Sequence, residues 1–400
     1  MKAVVLAAGE GSRLKPFTAT RPKVMIQTGN KPILEYVINA LQESGIIDIV
    51  MVVGYKREKI MDYFGDGRRW GVNITYVEQF QQLGTAHALR QASHLIKDHF
   101  LVINGDTVID ASAIREIVKH KAGDATMLTV NVDKAQAYGV VQTQNNLVKG
   151  IEEKPKNKEI GNTVNAGVYC FSPKIFDFLE YMDISERGEY EITDAIRKMI
   201  ENNYSVQAVH TNALWMDAVY LWNLIDLNAA TLARQKPENH GLVDEGAHIV
   251  GPVSIGENTV VRSGSYIVGP VSIGDNCDIG PNAVILPSTS IGSNSTVEAF
   301  VRISNSIIMS NVRVSSFSHI SASIIGEGST IGPAFIAESE NTRVEVENSL
   351  MRANIGAIIG DNTDIGGRVL VKPGKIVGIR CKVGSGALIW SNVADNTRVL

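Results

Sequence analysis

The feature that most narrows the folds open to this 400-residue chain is a strict period of six in its second half. Ile249, Ile255, Val261, Ile267, Ile273, Ile279, Ile285, Ile291, Val297 and Ile303 follow one another at that spacing without a break. A second register runs through Ile359, Ile365, Val371, Val377, Val383 and Ile389. A helix repeats its buried face about every 3.6 residues and a half-buried strand about every two. A period of six fits neither. It fits a left-handed parallel β-helix, in which three hexapeptides complete one triangular turn and each aliphatic side chain points into the prism. Glycine often follows the aliphatic residue, as at Gly256, Gly274, Gly280, Gly292, Gly360, Gly366, Gly378 and Gly384. The small residue four positions on (Thr259, Ser265, Cys277, Ala283, Thr289, Ser295) also fits inside. Between Ser304 and Asn354 the period breaks. Ile308, Val314 and Ile320 keep step with one another, then Ile325 and Ile331 do, and the polar stretch Glu338–Glu347 reads as a loop excursion.

The first half obeys a different rule. Short apolar runs at Ala3–Ala8, Ile47–Val53, Ile74–Val77 and Phe100–Ile103 have the length and β-branched content of buried strands. Between them, Pro32–Ser44 places Ile33, Leu34, Val37, Ile38 and Leu41 on one helical face, with Gly45 just beyond its end. This alternation predicts a Rossmann-like, doubly wound α/β domain over residues 1–228. A helix over about Val219–Arg234, stopped by the Pro and Gly of Gln235–Gly241, leads into a linker at 229–244. The β-helix then occupies 245–400.

In a doubly wound sheet, ligands bind beyond the carboxyl ends of strands. Gly9 and Asp106 both fall there. The first strand runs into Leu6-Ala7-Ala8-Gly9-Glu10-Gly11-Ser12-Arg13-Leu14-Lys15-Pro16, followed by Arg21-Pro22-Lys23. Such a loop can turn its backbone N–H groups around phosphate oxygens, because glycine tolerates positive φ and allows close approach. Arg13 and Lys23 bring positive charge to the same anion, while Lys15 reads equally well as exposed. A dinucleotide fingerprint is excluded because Leu14 stands where its third glycine belongs, and no Gly-Lys-Ser/Thr completes a Walker loop. A secretory signal is not expected: only about seven apolar residues precede Gly9, and no small-residue cleavage site follows.

In-line transfer at phosphorus needs positive charge on the phosphate oxygens more than covalent help. Lys23 is placed against the α- or β-phosphate, and Arg13 against the part that leaves as pyrophosphate. Asp106, in Val-Ile-Asn-Gly-Asp-Thr, and Asp217, in Ala-Leu-Trp-Met-Asp, are strand-end carboxylates. Mg²⁺ takes one or two such groups with phosphate oxygens and water, and the two are expected to share it from opposite ends of one cleft.

With its flanks, the N-terminal stretch resembles the sugar-1-phosphate nucleotidylyltransferase family, whose signature is Leu-Ala-Ala/Gly-Gly-x-Gly-x-Arg-Leu-x-Pro-x-Thr…Pro-Lys. Lys31-Pro32-Ile33-Leu34-Glu35-Tyr36 continues the pattern. The resemblance implies that Lys23 is the principal catalytic cation and that Asp106 and Asp217 are the metal ligands, although Ala218-Val219 departs from the usual sequence after the second aspartate. It implies base recognition by Leu6, Ala7, Ala8 and Gly9 with Gln79 and Gly84-Thr85-Ala86. Gln81 and Gln82 stand close enough to be alternatives to Gln79. Sugar and phosphate contacts are implied for Tyr138-Gly139-Val140, Glu152-Glu153-Lys154-Pro155 and Asn165-Ala166-Gly167. The expected reaction joins the nucleotidyl group of UTP or dTTP to glucose 1-phosphate or N-acetylglucosamine 1-phosphate.

Two other functions compete with this one. Many hexapeptide proteins are acyl-CoA transferases, and one branch of the resembling family acetylates glucosamine 1-phosphate with a histidine base in His-x-x-Tyr. His319 is the match, but Ala322 stands at the tyrosine, Thr330 replaces an asparagine, and no lysine lies between 314 and 371. A scaffold protein that has lost its chemistry would usually lose Lys23 or an aspartate, and all are present. The net charge of −4 offers no general attraction for nucleic acid or membrane. Cys170, Cys277 and Cys381 are too far apart for a metal knuckle and read as reduced core residues of a cytoplasmic protein. By resemblance, the prisms are expected to assemble three around an axis.

Overall fold

In a computed structural model, which describes every residue except 122, 156–160 and 347–348, the chain forms two compact units. The first comprises Met1–Glu10, Pro22–Met25 and Ile33–Asp217, and the second Gly11–Arg21, Ile26–Pro32 and Ala218–Leu400.

The first unit is built on a nine-stranded sheet. Its strands lie in the spatial order Asn73–Glu78, Asp48–Val53, Lys2–Ala7, Phe100–Asn104, Thr163–Phe171, Ala125–Asn131, Val206–His210, Leu147–Glu153, Gly139–Gln144. The first four are mutually parallel. Thr163–Phe171 runs antiparallel to both neighbours, so the half of the sheet beyond Phe100–Asn104 is mixed. Lys2–Ala7 shows why helices flank both faces. Ala3, Val5 and Ala7 join a core with Leu34, Ile38 and Leu41 of helix Ile33–Glu43, whereas Val4 and Leu6 join another with Leu89, Ile192 and Ile196. A strand covered twice must be apolar at every position, which is how it reads. Leu6 stands opposite Asn104, so Gly9 and Asp106 leave the same edge of the sheet. The two chains come so close there that Gly105 N–H donates to Leu6 O at 2.9 Å, and a Cβ on Gly105 would sit 3.0 Å from that oxygen.

The second unit is the β-helix that the period of six predicts. Three parallel sheets of nine, eight and seven strands make its sides. Ile267 stacks on Ile285, a rise of 18 residues per turn, as three hexapeptides require. In the irregular stretch Ile303 stacks on Ile320 and Ile308 on Ile325, a turn of 17. The shifted registers are therefore turns shortened by one residue, with the aliphatic ladder kept. The polar excursion at Glu338–Glu347 is corrected: Glu340–Val346 pairs antiparallel with Ser349–Ile355 as a β-hairpin, and Glu347 lies outside the described residues. It reads as a loop because Glu340, Asn341, Arg343 and Glu345 are exposed and, among those whose side chains are described, only Val344 is fully buried. After this insertion Ile324 stacks on Ile358. Leu221–Leu232 forms the expected helix, and Leu242–Val243 already pairs with Val260–Val261 as the first rung of one side.

All three cysteines are buried, Cys277 and Cys381 within the prism core. Among the described residues no helix is long and apolar enough to cross a membrane.

Ile285 is fully buried in mid-prism, whereas Ile249, in an end rung of the same ladder, is 37% exposed. Ile285→Ala should cost about 3 kcal/mol, the usual loss for a buried isoleucine. Ile249→Ala should cost a fraction of that. Urea unfolding of the two variants checks this, and equal losses would refute the account of the ladder.

Candidate active site

Lys23 opens a single helical turn, Lys23–Met25, fixed by Met25 N–H on Pro22 O at 2.9 Å. Its Nζ lies 2.5 Å from Asp106 Oδ2. Both side chains are partly buried, at 19% and 24% exposure, so the pair is stronger than a surface ion pair. Asp217 belongs to the same cluster. Trp215–Asp217 pairs antiparallel with Thr107–Ile109, setting Asp217 opposite Thr107 and beside Asp106. The two carboxylates thus lie at one end of a two-stranded ribbon, Asp217 in one strand and Asp106 just before the other, not at opposite ends of a cleft.

Tyr138 donates its hydroxyl to Asp217 Oδ1 at 2.7 Å. Burial pushes the Asp217 carboxyl up to about 6, with Asp106 adding to the rise while Lys23 and the Tyr138 hydroxyl oppose it. This shortage of positive charge can be tested against a metal. Among the described residues no group of three or more His, Cys, Asp or Glu forms an all-protein cage. Two neighbouring carboxylates, one disfavoured as an anion, are the donor set that Mg²⁺ completes with phosphate oxygens and water. The residues fit the ion.

The loop predicted to read the base is more tightly built than its sequence suggests. Gln79 is buried, and its Nε2 donates to Gly84 O at 3.1 Å and lies 2.9 Å from His87 Nδ1. Gly84 has φ +107°, and a side chain there would strike the Tyr190 backbone. Tyr190 N–H donates to Leu83 O, Ala86 N–H to Tyr190 O, and Ile192 N–H to the Thr85 hydroxyl. Leu6, Ala7 and Ala8 are buried at the strand end, while Gly9 is exposed with nothing near its Cβ position. Phe80, Gln81 and Gln82 are exposed.

The predicted sugar residues form a third group. A Cβ on Gly139 would stand 2.8 Å from Glu153 Oε2, so glycine admits that carboxylate. Burial raises the Glu153 pKa, helped by Glu191 and opposed by Lys154 and Arg187. Arg187 Nη1 lies 3.0 Å from Glu191 and 3.5 Å from Glu153. Lys154 has φ +47° and donates its N–H to Tyr138 O. Glu152, one position earlier on the strand, is exposed instead. Asn165 and Gly167 lie where the register of their strand shifts, and such irregularities re-aim side chains beside active sites. Asn165 Nδ2 donates to Tyr169 Oη at 2.6 Å and its Oδ1 accepts from Gly167 N–H at 3.0 Å.

Trp215 joins these groups. Its indole N–H donates to Ala166 O at 2.8 Å, and its ring meets that of Tyr138 edge-on at 5.6 Å. Sequence reasoning missed three residues here: Tyr138 as the partner of Asp217, Trp215 as the tie, and His87 as the partner of Gln79. The aromatics lie inside motifs already singled out, but nothing local signals His87.

Gly11, Arg13 and His319 belong to the second unit. Gly11 has φ +76°, and its carbonyl accepts from Leu14 N–H and from the Thr18 hydroxyl. The Arg13 guanidinium lies 6.0 Å from the centre of the Tyr220 ring. His319 is half-buried in a rung between Arg302 and Ile336.

Residues 2–234 match the nucleotidyl transferase family and residues 267–377 the GMPPB C-terminal domain. The chain belongs to the nucleotidyl transferase family. It is 40% identical to a Methanococcus maripaludis protein named bifunctional protein GlmU, over all of this chain and 97% of that one. It is 37% identical to the low-salt glycan biosynthesis nucleotidyltransferase Agl11 of Haloferax volcanii, over 88% of this chain and all of that one. A Bacillus anthracis structure described as a glucose-1-phosphate thymidylyltransferase in complex with a sucrose has TM-score 0.53 and 29% identity, covering 57% of this chain and 94% of that one.

The raised Asp217 has a signed consequence for the metal-free protein. The folded state holds this proton up to about pH 6, against an ordinary carboxyl value of 3.8. Its contribution to stability is present below about pH 4 and is lost as pH rises through about 6. Asp217→Asn should therefore gain in Tm on the parent protein as pH goes from 4.5 to 7. A constant difference across that range would refute the shift.

Proposed function

We propose that the chain transfers a nucleotidyl group from UTP or dTTP to the phosphate of a hexose 1-phosphate, releasing pyrophosphate. The observation that carries this reading is Lys23 paired with Asp106 beside Asp217, at the edge where Lys2–Ala7 and Phe100–Asn104 end. A phosphate oxygen of the sugar attacks the α-phosphorus in line. The new P–O bond forms as the bond to the β-phosphate oxygen breaks, and that oxygen leaves with its electron pair on pyrophosphate. Lys23 serves as the cation against the oxygens that gain charge, and Arg13 is assigned to the departing phosphates. Asp106 and Asp217 would hold Mg²⁺, which offsets negative charge on the triphosphate when bound. Tyr138 keeps Asp217 oriented through its hydroxyl.

The committed amide of Gln79 supports a uracil or thymine base. With Nε2 engaged by Gly84 and His87, its Oε1 remains to accept a hydrogen bond, and N3–H of those bases is a donor where N3 of cytosine is an acceptor. Glucose 1-phosphate and N-acetylglucosamine 1-phosphate both suit a pocket assigned to Gly139, Glu152, Glu153, Lys154 and Asn165. The β-helix is assigned to assembly and stability. His319 lacks the tyrosine, asparagine and lysine that would orient an amine and polarise a thioester.

One product panel tests these assignments, with four nucleoside triphosphates, several sugar phosphates and acetyl-CoA. UDP- or dTDP-sugar should form, and Lys23→Ala should lower kcat by about a hundredfold, as for loss of one transition-state contact. A fall below about threefold would remove Lys23 from catalysis. Acetylation at a comparable rate, abolished in His319→Ala, would make the protein bifunctional.

A trimer around the prism is our reading of the assembly, since closed symmetry is the usual arrangement for like subunits. Light scattering should give three times the 43.4 kDa of one chain, or a multiple of that, and a monomer mass would refute it. The buried thiols suit the cytoplasm.

A further inference from the structure

The strand Thr163–Phe171 breaks its register where the sugar residues are expected. Asn165 pairs with Thr129 and Tyr169 with Met127, so Ala166, Gly167 and Val168 stand against Leu128 alone. Three hydrogen bonds hold the extra backbone. Trp215 Nε1 donates to Ala166 O at 2.8 Å, Gly167 N–H to Asn165 Oδ1 at 3.0 Å, and Asn165 Nδ2 to the Tyr169 hydroxyl at 2.6 Å. Gly167 has φ +69°, and a side chain there would strike Asn104, so the turn that offers its N–H to Asn165 requires glycine.

These bonds decide which way the Asn165 amide faces. A backbone N–H can only donate, so the atom it meets is the amide oxygen, and the nitrogen is turned to Tyr169. One N–H of the amide is left over. On the other edge of the strand, Val164 pairs with Val140, while Gly139 pairs with Glu153. Continued by one residue, this register sets Asn165 beside Gly139. Glu153, Gly139 and Asn165 then form a row across three strands, on one face of the sheet. Glycine leaves a slot there between a carboxylate and an amide donor. A sugar hydroxyl suits both neighbours, since it can accept from Asn165 and donate to Glu153.

Tyr169 is 4% exposed, and its ring stacks on Phe171 at 5.2 Å. Burial raises its pKa, opposed by the Asn165 bond and helped by Glu153, so the phenol stays neutral with an oxygen able to accept. We propose that Tyr169 is a positioning residue for the sugar 1-phosphate: its hydroxyl, together with Gly167 N–H, fixes the Asn165 amide as a donor toward the slot over Gly139. This inference rests on the reading of Asn165 and Glu153 as sugar contacts, and Tyr169 acts only through Asn165.

The test uses the full chain with UTP or dTTP and whichever of glucose 1-phosphate and N-acetylglucosamine 1-phosphate turns over faster. Tyr169→Phe removes one oxygen and keeps the stacked ring. It should raise KM for the sugar phosphate about fivefold, the worth of one hydrogen bond, and leave KM for the nucleoside triphosphate within about twofold. Asn165→Ala should raise the same KM at least as far. Adding Tyr169→Phe to Asn165→Ala should change it no further, because the hydroxyl then has no amide to hold. That double variant leaves no amide unpaired, and it carries the test if Tyr169→Phe alone does not fold. A lower Tm with both KM values unchanged in Tyr169→Phe would make the hydroxyl purely structural and overturn the proposal, as would additive losses in the double variant. Asn165→Ala also separates the two readings. If it raises KM for the sugar phosphate and Tyr169→Phe does not, positioning alone fails. If Asn165→Ala leaves that KM unchanged, the sugar reading of Asn165 fails.

Discussion

One lysine between two carboxylates sets the terms for the rest of the first unit. Lys23 stands in contact with Asp106 and also favours the anion of Asp217. Asp217 accepts the Tyr138 hydroxyl as well, yet burial outweighs both and disfavours its anion. A site that served only stability would not keep this imbalance, because an incompletely compensated buried carboxylate costs free energy. The imbalance suits a cleft that meets substrate as a polyanion together with a cation. The aromatic packing extends the same cluster, with the Trp215 ring edge-on to Tyr138 and its indole N–H fixed to the backbone at Ala166. The strand irregularity at Asn165 and the carboxylate at Asp217 are thereby parts of one construction.

The β-helix shows how strictly a repeated burial requirement shapes a chain. An aliphatic residue must enter the prism on each side of every turn, but the corners are free to lose a residue. Turns of 17 at Ile303–Ile320 and Ile308–Ile325 use that freedom, and the hairpin Glu340–Val346 with Ser349–Ile355 uses it by addition. Neither disturbs the ladder, which resumes at Ile358 over Ile324. Left-handed backbone at Asn258, Asn276 and Asn294 makes the same corner in successive turns, and Asn276 donates to Asn294 as Asn258 donates to Asn276.

What the sequence makes legible follows the range of the interaction concerned. The period of six and the alternation of strand with helix are local signals, and both architectures follow from them. Asp106 and Asp217 are legible as strand-end carboxylates, and the structure brings them together with Lys23 in contact with Asp106. The antiparallel half of the sheet is not, since Thr163–Phe171 is as apolar as a parallel strand and its direction depends on partners far away in sequence. The hairpin is hidden because polar residues occupy its open face. Gln79 reads as a free recognition side chain, yet His87 and Gly84, approached only after the chain has folded back, already occupy its amide nitrogen.

The division of the N-terminal loop between two compact units is the least legible property of all. Gly11 to Arg21 reads as a continuation of the first strand's phosphate loop, and nothing in its composition points 340 residues ahead to Asp361. A contact of that kind is specified by geometry at one β-helix corner, where Arg21, Thr20 and the Glu327 N–H together saturate a single carboxylate. Polar hubs buried this deeply tolerate few alternatives, because each missing partner leaves a desolvated group unpaired. The same residues that make the loop invisible to sequence periodicity therefore give Thr20 and Arg21 a unique position within the second unit.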